Sequence, residues 1–222
     1  LAEVDATRVT VTRRTSVEDL NQSPAVIDNA WRSLLDRLPS LNLAEQQNPS
    51  QLNLSYRGIG NPQESEYVLV LEDGIPIEMD LIGFPTIYYQ PFSQTLSKIE
   101  LIRGGSGLLY GPEAAPVVNF VTHFQNPSVQ GWTTEQIFGQ NNLYSGFLEA
   151  TTPLSHNTNI GQVSFNLGHR QSDGVRSNGD YRIDAANFQW SGELSPKTSV
   201  KLIGRVSRTQ SGLAGLMPYS TF

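Results

Sequence analysis

Residues 99–122 read Ile-Glu-Leu-Ile-Arg-Gly-Gly-Ser-Gly-Leu-Leu-Tyr-Gly-Pro-Glu-Ala-Ala-Pro-Val-Val-Asn-Phe-Val-Thr. Ile99 and Leu101 open a short strand that carries Arg103. A glycine cluster follows at Gly104, Gly105 and Gly107, then Tyr110-Gly111-Pro112, and an apolar, β-branched strand from Val117 to Val121 closes the unit. Glycines grouped in this way permit tight turns and close backbone packing. The alternative, a phosphate-cradling loop, needs Gly-x-Gly-x-x-Gly opening a helix. Here Gly105, Gly107 and Gly111 carry one residue too many, and Pro112 and Pro116 discourage a following helix. No Gly-Lys-Ser/Thr follows.

The segment before it reads as a compact α+β unit. Asp28 is a candidate N-cap. Trp31, Leu34, Leu35 and Leu38 then stand at i, i+3, i+4 and i+7, one helical stripe, and Pro39 ends it. Leu52, Leu54 and Tyr56 alternate with polar neighbours and lead to Arg57-Gly58. Tyr67 to Leu71 reads as a buried strand, and Glu72-Asp73-Gly74 as a tight turn with hairpin chemistry. Ile75-Pro76-Ile77 restarts the strand, and Pro76 predicts an edge or a bulge.

After residue 128 the texture changes. Val163, Phe165 and Leu167 alternate with Gln162, Ser164 and Asn166. Ala186, Phe188, Trp190 and Leu194 alternate with Asn187, Gln189, Ser191 and Glu193. Val200, Leu202 and Val206 stand against Lys201, Arg205 and Ser207. Turn clusters at 140–142, 155–157, 172–174 and 195–197 divide this region into about five strands, near 130–139, 142–153, 160–171, 182–195 and 198–210. Several exceed the ~5–6 residues usual in a globular strand. Alternation fits either a soluble antiparallel sheet or the wall of a membrane barrel, with lipid on one face and a wet lumen on the other.

Composition narrows the classes. Net charge is −6 and the 15 Lys and Arg are scattered, which argues against a nucleic-acid binder. There is no cysteine, so no disulfide framework and no thiolate metal site. His123, His156 and His169 match no metal spacing. No run approaches the ~18 apolar residues of a transmembrane helix, which leaves barrel strands open. No leader-like run opens at Leu1, so a cytoplasmic, a mature and a trimmed chain all stay open. No nucleophile–base pair or paired-carboxylate motif stands out, so no enzymatic activity and no cofactor are expected. Asp73, Glu100 and Glu113 read as turn, surface and loop residues.

Taken in order, these elements resemble the plug domain of TonB-dependent outer-membrane receptors. The set comprises a Thr/Val-rich arm, the helix ending in Leu38-Pro39, Ser55-Tyr56-Arg57-Gly58, and Val70-Leu71-Glu72-Asp73-Gly74-Ile75-Pro76. Ile99 to Gly104, Leu109-Tyr110-Gly111 and Val118-Asn119-Phe120-Val121-Thr122 complete it. Gly58, Asp73, Gly74, Gly104, Gly107, Tyr110 and Gly111 are its structural positions. The ending is most similar to the ferric-dicitrate receptor branch. That branch has paired glycines where this chain has Ala114-Ala115-Pro116 and runs one residue shorter.

The resemblance implies an N-terminal arm (1–16), an α+β plug (17–125) and the first strands of an antiparallel transmembrane β-barrel (126–222). About five strands cannot close such a barrel, so a fragment is expected. Thr7, Arg8, Val9, Thr10, Val11 and Thr12 resemble a TonB box, suited to strand addition on a partner's sheet edge; a tail or an N-terminal plug strand is the alternative. Arg57 and Arg103 would face acidic residues of the barrel wall. The plug's outward loops, 60–66 and 84–92, would bear on ligand, with Tyr88, Tyr89, Gln90 and Phe92 as a pocket floor or, alternatively, as core. The implied function is energy-coupled uptake of a scarce ligand, a ferric chelate of dicitrate or siderophore type, through the outer membrane of a Gram-negative-type bacterium. TonB and outer-membrane lipid would be its partners, and no nucleic acid. A soluble β-rich binding or adhesion module is the competing reading.

Overall fold

The computed structural model describes residues 15–20, 22, 31–44, 53–58, 67–77, 89–104, 110–111, 116–125, 130–154, 161–195 and 197–212. Two compact units divide the chain, one running to His123 and a second from Phe124. No helix among the described residues is long and apolar enough to cross a membrane.

In the first unit, strand β1 (Thr15–Asp19) precedes a short helix α1 (Trp31–Leu35). The hairpin strands β2 (Leu41–Ala44) and β3 (Asn53–Tyr56) follow. Then come β4 (Leu69–Glu72), β5 (Ile75–Pro76), β6 (Leu96–Ile102) and β7 (Val117–Thr122). The main sheet runs β1-β6-β7-β4-β5. Only β4 and β7 pair in parallel; the other neighbours are antiparallel. Pro76 lies on the edge strand β5, where its missing N–H costs no ladder bond.

The helical stripe is buried as its spacing predicts: Trp31, Leu34, Leu35 and Leu38 all enter the core with Ile99, Leu101, Val118 and Phe120. The Trp31 and Phe120 rings meet at 4.9 Å and 58°, a tilted contact that contributes about 0.5–1.5 kcal/mol beyond burial. The helix is shorter than the stripe. Asp36 N–H still bonds Arg32 O, but Leu38 N–H bonds Leu35 O, the tighter spacing that closes a helix before proline.

Two expectations are corrected. Thr15 and Ser16, assigned to the arm, belong to a strand whose register sets Thr15 opposite Ile102 and Ser16 opposite Leu101. Glu100, read as a surface residue, is 2% exposed. It sits mid-strand on β6, between β1 and β7, so both flanks of its backbone are covered.

The second unit is a five-stranded meander in which strands adjacent in sequence are adjacent in the sheet. Its strands are β8 (Gly131–Phe138), β9 (Tyr144–Pro153), β10 (Gln162–Ser172), β11 (Tyr181–Ser195) and β12 (Thr198–Ser211), all paired antiparallel. Asn141 and Asn142 both adopt φ +54° at the β8–β9 turn, a conformation that asparagine tolerates better than most residues. Among the described residues, β8 and β12 remain the edges of an open sheet.

Candidate functional site

The Glu72-Asp73-Gly74 turn is built by its backbone. Asp73 has φ +53° and Gly74 φ +79°, the paired positive values that a two-residue hairpin turn requires. Its side chains then reach across the sheet. Asp73 Oδ1 accepts the Thr122 amide and Oδ2 the Thr122 hydroxyl, each at 2.8 Å. Gly74 N–H donates to Asn119 Oδ1 at 2.9 Å, and Asn119 Nδ2 donates to Glu100 Oε2 at 3.0 Å. Lys98 Nζ completes the seam, 2.8 Å from Glu100 Oε1.

A polar seam therefore crosses the sheet from the β4–β5 turn over β7 to β6. A buried carboxylate is costly unless paired and hydrogen-bonded, and here both oxygens of Asp73 and both of Glu100 have donors. The parallel β4–β7 pair brings the turn onto β7: Glu72 faces Phe120, and Asp73 N–H bonds Phe120 O. Sequence reading missed the seam. A signal was present, since Glu100 stands in an otherwise apolar Ile-Glu-Leu-Ile run, the pattern of a strand covered on both faces.

Arg103 follows β6 and donates to Ser16 Oγ at 2.7 Å, tying β1 to the sheet. Arg57 is exposed, with φ +53° beside Gly58 at +72°, and its guanidinium lies 5.1 Å from the Tyr56 ring centre. The two arginines are thus differently held. Tyr89 belongs to the hydrophobic core and Phe92 is buried, whereas Gln90 is partly exposed. Gly104 takes φ +73°, Tyr110 packs against Leu69, Leu71, Ile102 and Val117, and Gly111 is partly exposed. Residues 7–12, Tyr88, Gly107 and the loop 60–66 lie outside the described residues.

In the second unit the alternation resolves into two unlike faces. Glu149, Ser164, Asn166, Asn187 and Gln189 are buried, Ser164 at 1% and Gln189 at 2% exposure. The opposite face is apolar and open: Phe165 is 43%, Phe188 42%, Leu202 54% and Trp132 74% exposed. A soluble sheet buries its apolar face, so this order is inverted. It is the order a barrel wall needs, with apolar side chains toward lipid.

Residues 5–118 match the family model described as "TonB-dependent Receptor Plug Domain". The chain belongs to the TonB-dependent receptor plug family. Its plug is followed by antiparallel strands with a lipid-type outer face, the arrangement of an outer-membrane receptor. Solved structures agree in fold. The chain is 18% identical to the copper transporter OprC, with a TM-score of 0.67, covering 91% of this chain and 31% of that one. The pyoverdine outer membrane receptor FpvA from Pseudomonas aeruginosa gives 14% identity and a TM-score of 0.65, over 88% of this chain and 27% of that one. The ferric yersiniabactin uptake receptor FyuA from Yersinia pestis gives 20% and 0.54, over 80% and 28%. The chain thus spans about a third or less of these three solved chains.

Proposed function

We propose that this chain supplies the plug and the first wall strands of an outer-membrane receptor for energy-coupled uptake of a scarce ligand. The observation that carries this reading is the pairing of a plug domain with a sheet whose open face is apolar and whose buried face is polar. The ligand is a ferric chelate of siderophore or dicitrate type. Support comes from the ferric siderophore receptors among the similar folds and from the Asn119-Phe120-Val121-Thr122 ending. Substitution of Ala114-Ala115-Pro116 for paired glycines favours the siderophore side of that choice.

The domains divide as arm, plug and wall, with the arm ending before β1 at Thr15 and the wall beginning after about residue 125. Residues 7–12 act as the TonB box, adding as a strand to a sheet edge of TonB. Arg57 and Arg103 face carboxylates of the wall; such pairs are close to neutral in net energy and so hold a plug that still rearranges. No bond is made or broken in the ligand.

Pull-down with the C-terminal domain of TonB tests the box. The intact chain should be retained and the form lacking residues 7–12 should not; equal retention of both sinks the assignment. A panel of ferric siderophores, ferric dicitrate and copper, read by tryptophan quenching of the receptor, tests the ligand class. Saturable binding of copper alone would replace the ferric reading.

A further inference from the structure

The open face of the wall does not stay apolar along its whole length. Leu148, Leu167, Ala186 and Val206 form one cross-strand row. The next row toward the β10–β11 connection is His169, Asp184 and Arg208, and the one after it holds Gln171, Arg182 and Gln210. Each row lies about 6.6 Å beyond the last. The face therefore passes from bare hydrocarbon side chains to charge within a single row.

The charges there are not mutually satisfied. Asp184 Oδ2 accepts Arg182 Nε at 3.0 Å, and Asp184 Oδ1 lies 2.6 Å from His169 Nδ1. Arg182 donates its Nε in this hydrogen bond, and the guanidinium carries two further NH2 groups. Arg208 faces Asp184 in the strand register yet is exposed and forms no ion pair among the described residues. Two arginines thus neighbour one carboxylate, and of the two only Arg182 is paired with it. Arg182 and Arg208 are diagonal neighbours on adjacent strands, a separation of about 7–8 Å at the backbone that long side chains bridge.

We propose that Arg182 and Arg208 together bind the anionic phosphate of a lipid headgroup whose chains lie on the adjoining apolar face. This rests on the barrel-wall reading of the strands. Guanidinium suits the ligand: its planar fork matches phosphate oxygens in bidentate fashion and is weakly hydrated. Height suits it too. On the neighbouring strands, Phe138 and Tyr144 stand on the row of Arg182 with rings 5.2 Å apart, and aromatic side chains of this kind mark the level of the headgroups. Leu167, Phe165, Phe188 and Val206 continue the surface downward, so a molecule bound at the arginines meets apolar side chains on one flank only. A lipid fits that asymmetry and a free anion does not.

The test uses the receptor in vesicles of phosphatidylcholine containing a minor fraction of phosphatidylglycerol, with bromine on the chains of one lipid or the other. Trp132 and Trp190 lie on the lipid-type face and report brominated neighbours by quenching. Enrichment of brominated phosphatidylglycerol by about fivefold for each arginine is expected. Arg182→Gln and Arg208→Gln should each lower it about fivefold and together abolish it, while Lys197→Gln, which removes the same charge as either single variant at the opposite turn, should not lower it. Equal quenching by both lipids in the unaltered protein overturns the proposal and leaves the wall reading standing. Absence of quenching by either lipid overturns both. Loss of enrichment in Lys197→Gln equal to that in the arginine variants shows bulk charge and overturns the site. Displacement by inorganic phosphate at matched ionic strength overturns the choice of a lipid as occupant.

Discussion

Asp73 holds Thr122 twice, accepting its amide with one carboxylate oxygen and its hydroxyl with the other, both at 2.8 Å. The two residues are 49 apart in sequence. Their contact fixes the β4–β5 turn against the end of β7, and hence the edge strand against the sheet.

Graded losses of stability should follow from this geometry. Thr122→Val removes one donor and should cost about 1 kcal/mol. Asp73→Asn keeps the left-handed turn but weakens a charged acceptor, for about 1–2 kcal/mol. Asp73→Ala strands both donors and strains the backbone, for about 3–5 kcal/mol. Urea midpoints give the order; a Thr122→Val variant less stable than Asp73→Ala would contradict it.

The far end of the seam gives a second series. Asn119→Asp sets a new carboxylate against Glu100, 3.0 Å from the amide it replaces, and removes the donor. It should destabilise more than Asn119→Leu of similar size, which leaves Glu100 one donor short and the Gly74 N–H without its acceptor but sets no second carboxylate beside Glu100. Lys98→Met leaves a buried charge half-paired, and because Lys98 is itself 23% exposed the cost should stay near 1–2 kcal/mol. Thermal melts of the three variants decide.

β1 should be looser than the β6 and β7 strands beside it. None of its residues is buried, and it pairs on one side only. Ser16→Ala deletes one acceptor of Arg103, worth about 1 kcal/mol, and should speed amide exchange in 15–19 about fivefold. Exchange in β6 and β7 should not change. Uniform acceleration over all three strands would show that β1 opens only with the whole plug.

On the wall, Phe188→Arg should cost about 2–4 kcal/mol of stability in lipid if it sits near mid-bilayer. Ser207→Arg, on the other face of the neighbouring strand, should be tolerated. Folding into vesicles, followed by resistance to urea, separates the two; equal tolerance would mean that Phe188 does not meet lipid.

Much of the molecule was legible residue by residue. Trp31 to Leu38 showed the helical stripe, Asp73-Gly74 the turn, Pro76 the edge, and the alternation of 163–167 and 186–190 the wall strands. β1 and β2 were not legible. Thr15–Asp19 and Leu41–Ala44 have mixed, short patterns, and they become strands by pairing with β6 and β3. The ligand-side residues divide likewise. Tyr89 and Phe92 have the composition of a pocket floor, yet an aromatic ring suits a core equally well, and Tyr89 lies in one.

The sequence alone determined periods, turns and the order of motifs, because these depend on neighbours a few residues apart. Only the tertiary structure decided which face of the wall is bare. A period of two is the same whether the apolar side meets a core or lipid. It alone decided, too, that Glu100 is a buried seam residue, since its second donor comes from Asn119 on another strand. Burial of a charge is set by what the chain brings back to it from afar.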